Sequence, residues 1–335
     1  MVERSAVNRN VAGSSPAQGA NSPSPTETSS DPARVCLHTL LGNYPNTAAL
    51  RNGAITSPLI QFDFADVKVS NTAFKPLVRE QKFDLGELAI VTYLQAKAYG
   101  KPYVLLPAVI VGRGQHHTIA YNSERGLLTP ADLPGRRVGV RAFSQTTGAW
   151  LRGILSEDYG VDYRKVRWIT FEEPHVAEYR DPEIVERAAA GKELLPMLLA
   201  GELDAAIFAN ELPDPRLKTL IPDAQAAEQK WAERHGGAPI NHMMVMRESI
   251  VGQRPDVVKE VYRLLLESKN AADAATRGGA SNPGAIRFGD IRFGIGPNRE
   301  SLEIIIRYAA EQGLIPRRFA VDELFGDVAR ILGQG

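Results

Sequence analysis

Cysteine is nearly absent: Cys36 is the single one in 335 residues, which excludes an intramolecular disulfide and any metal site built on several thiolates. On its expected strand, Cys36 reads as a small core hydrophobe. Excess charge of either sign is also absent, with Lys plus Arg and Asp plus Glu at 39 each. Nothing in that balance points to nucleic acid or to a membrane surface, so the expected partner is a small molecule. No apolar run reaches the length of a membrane-spanning helix, and no internal repeat or coiled-coil pattern is present. Residues 1–33 have almost no bulky apolar side chains; such a composition cannot offset the entropy of ordering and is expected to be disordered. The same segment lacks the continuous apolar core of a secretory signal, so the expected compartment is the cytoplasm. Its opening, MVERSAVNRNVAGSSPAQGA, resembles the spurious reading frame that results when a transfer-RNA gene is translated.

What is present is ample apolar material, 44% of the chain, enough for two domains or one large one. From Val35 the pattern alternates strand and helix: Val35 to Leu41, Leu59 to Val67, Phe83 to Ala89, Tyr103 to Val111 and His117 to Tyr121 read as strands, with helices near Ala48, Phe74 to Glu80 and Thr92 to Tyr99. Turn chemistry from Thr129 to Gly135 marks a crossing into a second lobe. There, strands at Arg137 to Arg141, Val166 to Phe171 and Asp204 to Ala209 alternate with helical stretches to Tyr159 and to Ala200. Met243 to Met246 carries the chain back, followed by helices from Pro255 to Asn270 and Arg299 to Gln312, with a Gly-rich, loop-like stretch between them. The expected organisation is α/β in two lobes, 34–130 plus 243–335 and 131–242, with a ligand cleft between them and crossings that permit hinge closure.

The centre of this reading is RRVGVRAFSQTTGAWLRGIL, Arg136 to Leu155. A strand stops at a polar turn and restarts as a helix, and Ser144, Gln145, Thr146 and Thr147 stand where unpaired backbone N–H groups and the helix dipole favour an anion such as a carboxylate. An ordinary N-cap explains the same residues without a ligand. Arg113 follows an apolar strand whose end should face the cleft, and its planar fork suits a carboxylate; a lobe-bridging salt bridge is the alternative. Tyr44 and Trp150 offer aromatic faces for stacking, or core packing. Arg152, one and a half turns beyond Thr147, is a weaker carboxylate candidate.

Several runs together resemble the 4,5-dihydroxyphthalate decarboxylase family, which has the periplasmic-binding-protein type 2 fold. They are Gly42 to Leu50, Phe83 to Glu87, Trp150 to Leu155 with Tyr159 to Val161, Gly201 to Asp204, Gly294 to Arg299 and, most strongly, YAAEQGLIPRRFAVDELF from Tyr308 to Phe325. The resemblance spans residues 35 to about 328. It implies a two-lobed fold and a carboxy-lyase acting on a hydroxylated aromatic acid in phthalate degradation. Two stretches depart from the family pattern: Leu88 to Thr92 stands where a polar, Ser-rich run is usual, and Thr170-Phe171 stands where Gly-Gly usually precedes the paired acids Glu172 and Glu173.

Decarboxylating such an acid needs an acid to protonate the ring carbon, a base or cation for the phenol oxygen, and donors that orient carboxylates. No organic cofactor is demanded. The resemblance assigns His117 and His242 as proton-transfer candidates; Glu87 and Glu173 are candidate bases, and Asn241 lies beside His242 at the expected return crossing. His116 and His117, adjacent on an expected strand, should face opposite ways. The two candidate histidines with Glu87 and Glu173 allow a divalent metal as well, although their spacing matches no strong metal motif. A homo-oligomer is allowed. The alternative to a decarboxylase is a non-catalytic solute-binding protein for a small aromatic or carboxylate ligand, with a pyrimidine- or thiamine-precursor enzyme as a minor third reading.

Overall fold

The computed structural model describes residues 34–209, 212–277 and 291–334. The expectation for residues 1–33 and much of the Gly-rich stretch lie outside the described residues. In chain order the strands are β1 (Val35–Leu40), β2 (Ile60–Phe64), β3 (Leu85–Ala89), β4 (Tyr103–Gly112), β5 (Ile119–Asn122), β6 (Arg137–Val140), β7 (Arg167–Thr170), β8 (Val185–Arg187), β9 (Ala205–Ile207), β10 (Leu217–Thr219) and β11 (Ile240–Arg247). They form two sheets, β2-β1-β3-β11-β4 and β10-β5-β9-β6-β7-β8. In the first, β1 pairs parallel with β2 and β3, while β11 runs antiparallel between β3 and β4. In the second, β9, β6, β7 and β8 are parallel and β5 is antiparallel to β9 and β10. Every residue of β3 and β4 is buried, as their near-continuous apolar sequence requires of strands covered on both faces.

Sheet pairing moves the expected crossings. Because β5 belongs to the second sheet, the chain leaves the first lobe in residues 113–118 rather than near 130. It returns at Ile240, which places Asn241 and His242 inside β11. His116 to Thr118 is a 3₁₀ turn, not strand. Val185–Arg187, expected as helical, pairs with β7 at the sheet edge; three residues are too few for a period to show. The helix from Pro255 continues to Arg277, because Ala-Ala-Asp-Ala-Ala favours helix over loop. Cys36, expected in the core, is exposed.

Each lobe has a buried cluster of its own on its outer face, around Leu106 and Val258 in the first and around Ile169 and Leu198 in the second, but a larger one joins them. One continuous cluster of buried side chains includes Leu40 and Tyr93 from the first lobe, Val140, Trp150 and Trp168 from the second, and Ile305 from the helix Arg299–Glu311. A shared dry core opposes the hinge motion that two crossings alone would permit. Among the described residues no helix is long and apolar enough to cross a membrane.

Candidate active site

Between the sheets lies a cavity of about 200 Å³. Its floor is built on β3. Glu87 is fully buried on this central strand, opposite Met244 in the register with β11. Tyr44 Oη donates to Glu87 Oε1 at 2.8 Å, Ser70 Oγ donates to the same oxygen, and Gly42 N approaches Oε2 at 3.3 Å. A glycine is required at 42, since a Cβ there would lie 2.5 Å from the Tyr44 ring. Thr47 fixes the turn by accepting from Tyr44 N and donating to Gly42 O. His242, two residues along β11 from the strand partner of Glu87, brings Nδ1 to 3.6 Å from Glu87 Oε1, and that nitrogen has no hydrogen-bond partner among the described residues. Burial alone would raise the Glu87 carboxyl, but His242, Ser70 and Tyr44 together hold it below the usual carboxylate range.

A second imidazole enters from the other lobe. His175, on the loop after β7, is buried and its Nδ1 lies 2.9 Å from Thr92 Oγ1. Burial, reinforced by the positive charges of Arg141, Lys75 and Arg79, pushes it down to about 3, so it is neutral at physiological pH. Phe74 stands edge-on to both rings, with centroids 5.6 Å from His175 and 5.3 Å from His242.

Two helix starts and two arginines make the rest of the wall receptive to anions. Ala89 and Thr92 at the start of the helix Ile90–Ala98, and Gln145, Thr146 and Thr147 at the start of the helix Thr146–Tyr159, all line the cavity. Neither helix has a side-chain N-cap bond from its cap residue, although Thr146 Oγ1 accepts from Val91 N at 3.2 Å and ties the two starts together. Arg113 and Arg141 also line the cavity. Arg113 donates to Ala209 O across the lobes, and burial lowers its guanidinium to about 10, leaving it charged. Arg141 ends β6 with Glu172 at 3.5 Å. Such a wall can neutralise a carboxylate, and the floor can hold or move a proton.

Of the residues expected from sequence, Tyr44, Arg113, Gln145, Thr146, Thr147, Asn241 and His242 line the cavity, with Glu87 beneath them. The others lie elsewhere. His117 is held by Glu228 of the helix Ala224–Arg234, through both its ring and its backbone N–H, outside the cavity. Glu173 is exposed, 3.7 Å from Arg79. Trp150 is core: its Nε1 donates to Ile240 O, and it packs edge-on to Trp231 and Tyr308. Arg152 is fully buried, donating to Phe143 O and Gln312 Oε1 with its guanidinium 3.8 Å from the Phe143 ring centroid. Ser144 is buried and does not line the cavity. The imagined metal set of two histidines with Glu87 and Glu173 is therefore split. Among the described residues no group of three or more His, Cys, Asp or Glu is placed to hold a metal ion.

Sequence reasoning passed over His175, Arg141, Ser70 and Thr92. His175 lies two residues after Glu173, and Arg141 closes the strand before the polar turn, so position relative to strand ends was a usable signal for both.

No family model matches the chain. A 4,5-dihydroxyphthalate decarboxylase from Pseudomonas putida is 31% identical over 217 residues, covering 59% of this chain and 81% of that protein. The chain belongs to the 4,5-dihydroxyphthalate decarboxylase family. A second family member, the 4,5-dihydroxyphthalate decarboxylase of Comamonas testosteroni, is 28% identical over 263 residues, 72% of this chain and 76% of that one. Among solved structures the chain is similar to the periplasmic aliphatic sulphonate binding protein SsuA from Escherichia coli, with a TM-score of 0.54 at 13% identity over 88% of this chain and 92% of that one. That likeness shows the two-lobed fold.

Proposed function

We propose that the protein decarboxylates a hydroxylated aromatic carboxylic acid, 4,5-dihydroxyphthalate or a close relative, with no organic cofactor. The observation that carries this reading is the pairing of a buried, ionised Glu87 with His242 at the floor of a cavity whose wall is cationic. Arg113, Arg141 and the two helix starts neutralise and orient the substrate carboxylates. His242, backed by Glu87, gives a proton to the ring carbon bearing the carboxylate. In the tautomer whose Nδ1–H donates to Thr92, His175 presents Nε2 as acceptor of a hydrogen bond from a ring hydroxyl, which orients the ring and supports the positive charge that protonation at carbon places on that oxygen. The protonated dienone loses CO2: the C–C bond breaks and its electron pair restores the aromatic ring, the hydroxyl keeping its proton throughout. One proton is consumed and one CO2 released. A cavity of this kind would also bind an aromatic carboxylate without reaction, the alternative that the fold allows.

Replacing His242 by Ala or Glu87 by Gln should lower CO2 release by about 10²- to 10⁴-fold, the usual worth of a positioned acid or base. Retained substrate affinity in the folded variants supports the assignment. Undiminished turnover in both variants would remove the pair from the reaction. By the same reading the protein acts in the cytoplasm on a small soluble substrate.

A further inference from the structure

His175 reaches the cavity on a loop that is fastened from outside it. The loop between β7 and β8 belongs to the second lobe and is tied to it at its start, where Phe171 and Glu172 N donate to Arg141 O, yet from Pro174 to Glu178 it is fastened to the first. Arg79, in the last turn of the helix Phe74–Glu80, donates through Nε to His175 O at 2.8 Å and through Nη2 to Pro174 O at 2.7 Å. Three residues further on, Glu178 accepts from Lys101 Nζ at 2.6 Å. Val176, between these two fasteners, and Tyr179, just beyond them, are buried in the common core. Thr92, from the first lobe, takes the ring Nδ1. The imidazole is thus fixed at three points: its own carbonyl, the preceding carbonyl, and one ring nitrogen. All three bonds come from two residues of the opposite lobe, Arg79 and Thr92.

The fork matters. A guanidinium presents two N–H vectors in a fixed plane and so can hold two successive carbonyls at once, which a single ammonium cannot reproduce in the same geometry. Neither carbonyl is in a strand or helix, so no regular structure would hold this part of the loop if Arg79 let go.

We propose that Arg79 is a positioning residue which, with Thr92, sets the His175 imidazole toward the substrate from across the lobe boundary. The proposal rests on the decarboxylase reading for its effect on rate, though not for its effect on the histidine. Arg79 touches no substrate; it acts through the loop backbone. Its loss therefore changes the orientation of His175 and the turnover step more than substrate affinity.

The test uses the full-length chain as wild type, Arg79→Ala and Arg79→Lys, with ¹⁵N-labelled histidine followed by NMR across pH. Arg141, Lys75 and His242 face His175 in all three proteins, and the lysine variant keeps a positive charge at 79. In wild type the His175 ring should remain neutral down to about pH 3. In both variants it should titrate at higher pH, shifted by at least one unit, because the ring gains access to water. Turnover of the same proteins should show kcat falling about 100-fold for a misplaced group, with KM changed far less, and added guanidinium ion should restore part of the rate to Arg79→Ala alone. An unchanged His175 titration in Arg79→Lys overturns the proposal. Should wild type decarboxylate no hydroxylated aromatic acid, the functional reading fails while the titration still decides whether Arg79 positions the ring.

Discussion

Single side chains divide the acid–base work by their surroundings. Glu87 and His175 are both buried, but hydrogen-bond donors hold the carboxylate ionised while burial among cations holds the imidazole neutral. This has a consequence for stability. An unfolded chain protonates His175 at about 6.5, whereas the folded chain does so only at about 3. Between those values the unfolded state holds more protons, so stability rises with pH across that window and is lost as pH falls from its upper to its lower end. The depressed Glu87 carboxyl acts in the same direction, but only below its own unfolded value of about 4.3. His175→Gln should therefore flatten the dependence of the urea midpoint on pH between about 6.5 and 5.5, where ordinary carboxylates remain almost fully ionised. An equally steep loss in the variant would mean that His175 is not held neutral by the fold.

At the scale of elements, the helix Thr146–Tyr159 joins the site to the core. Its first turn lines the cavity, and its next two turns are buried against the helix Arg299–Glu311. Gly153 permits that contact, since a Cβ there would lie 2.2 Å from the Tyr308 ring. Gly153→Ala should destabilise the protein by about 1–3 kcal/mol, the usual cost of overpacking, read as a lower urea midpoint; an unchanged midpoint would mean that the helices do not pack this closely. The strand-turn-helix at residues 136–155 was legible because a buried strand, a polar turn and a helix each leave a pattern in the sequence. The companion helix was legible as Thr92 to Tyr99, two residues late at its start, because no capping residue marks Ile90. Likewise Trp150 and Arg152 share the helix that carries Thr146 and Thr147, and only tertiary packing decides that they face the core. His117 is adjacent to the buried His116, and its neighbour Glu228 is 111 residues away in sequence. No local pattern encodes such a pairing.

Across the whole molecule, the two sheets share one large apolar cluster in addition to the smaller cluster on the outer face of each lobe. The described body from Arg34 onward should therefore unfold in a single cooperative calorimetric transition; two separated transitions would show that the shared cluster does not couple the lobes. The alternating α/β order, which announced two lobes, could not show this. Burial between lobes depends on which helices meet, and the helix Arg299–Glu311 is far in sequence from both partners it joins. The same rigidity fixes His242 on one lobe and His175 on the other around one small cavity, where a hydroxylated aromatic acid can be protonated at carbon while its hydroxyl is held by a hydrogen bond. The most direct measurement is incubation of the purified protein with a panel of hydroxylated benzoates and phthalates in D2O, following CO2 and product mass. The account predicts release of one CO2 per molecule, one deuterium at the carbon that carried the carboxylate, and loss of both in His242→Ala. Recovery of every acid bound but unchanged would contradict it and leave a protein that binds these acids without reacting with them.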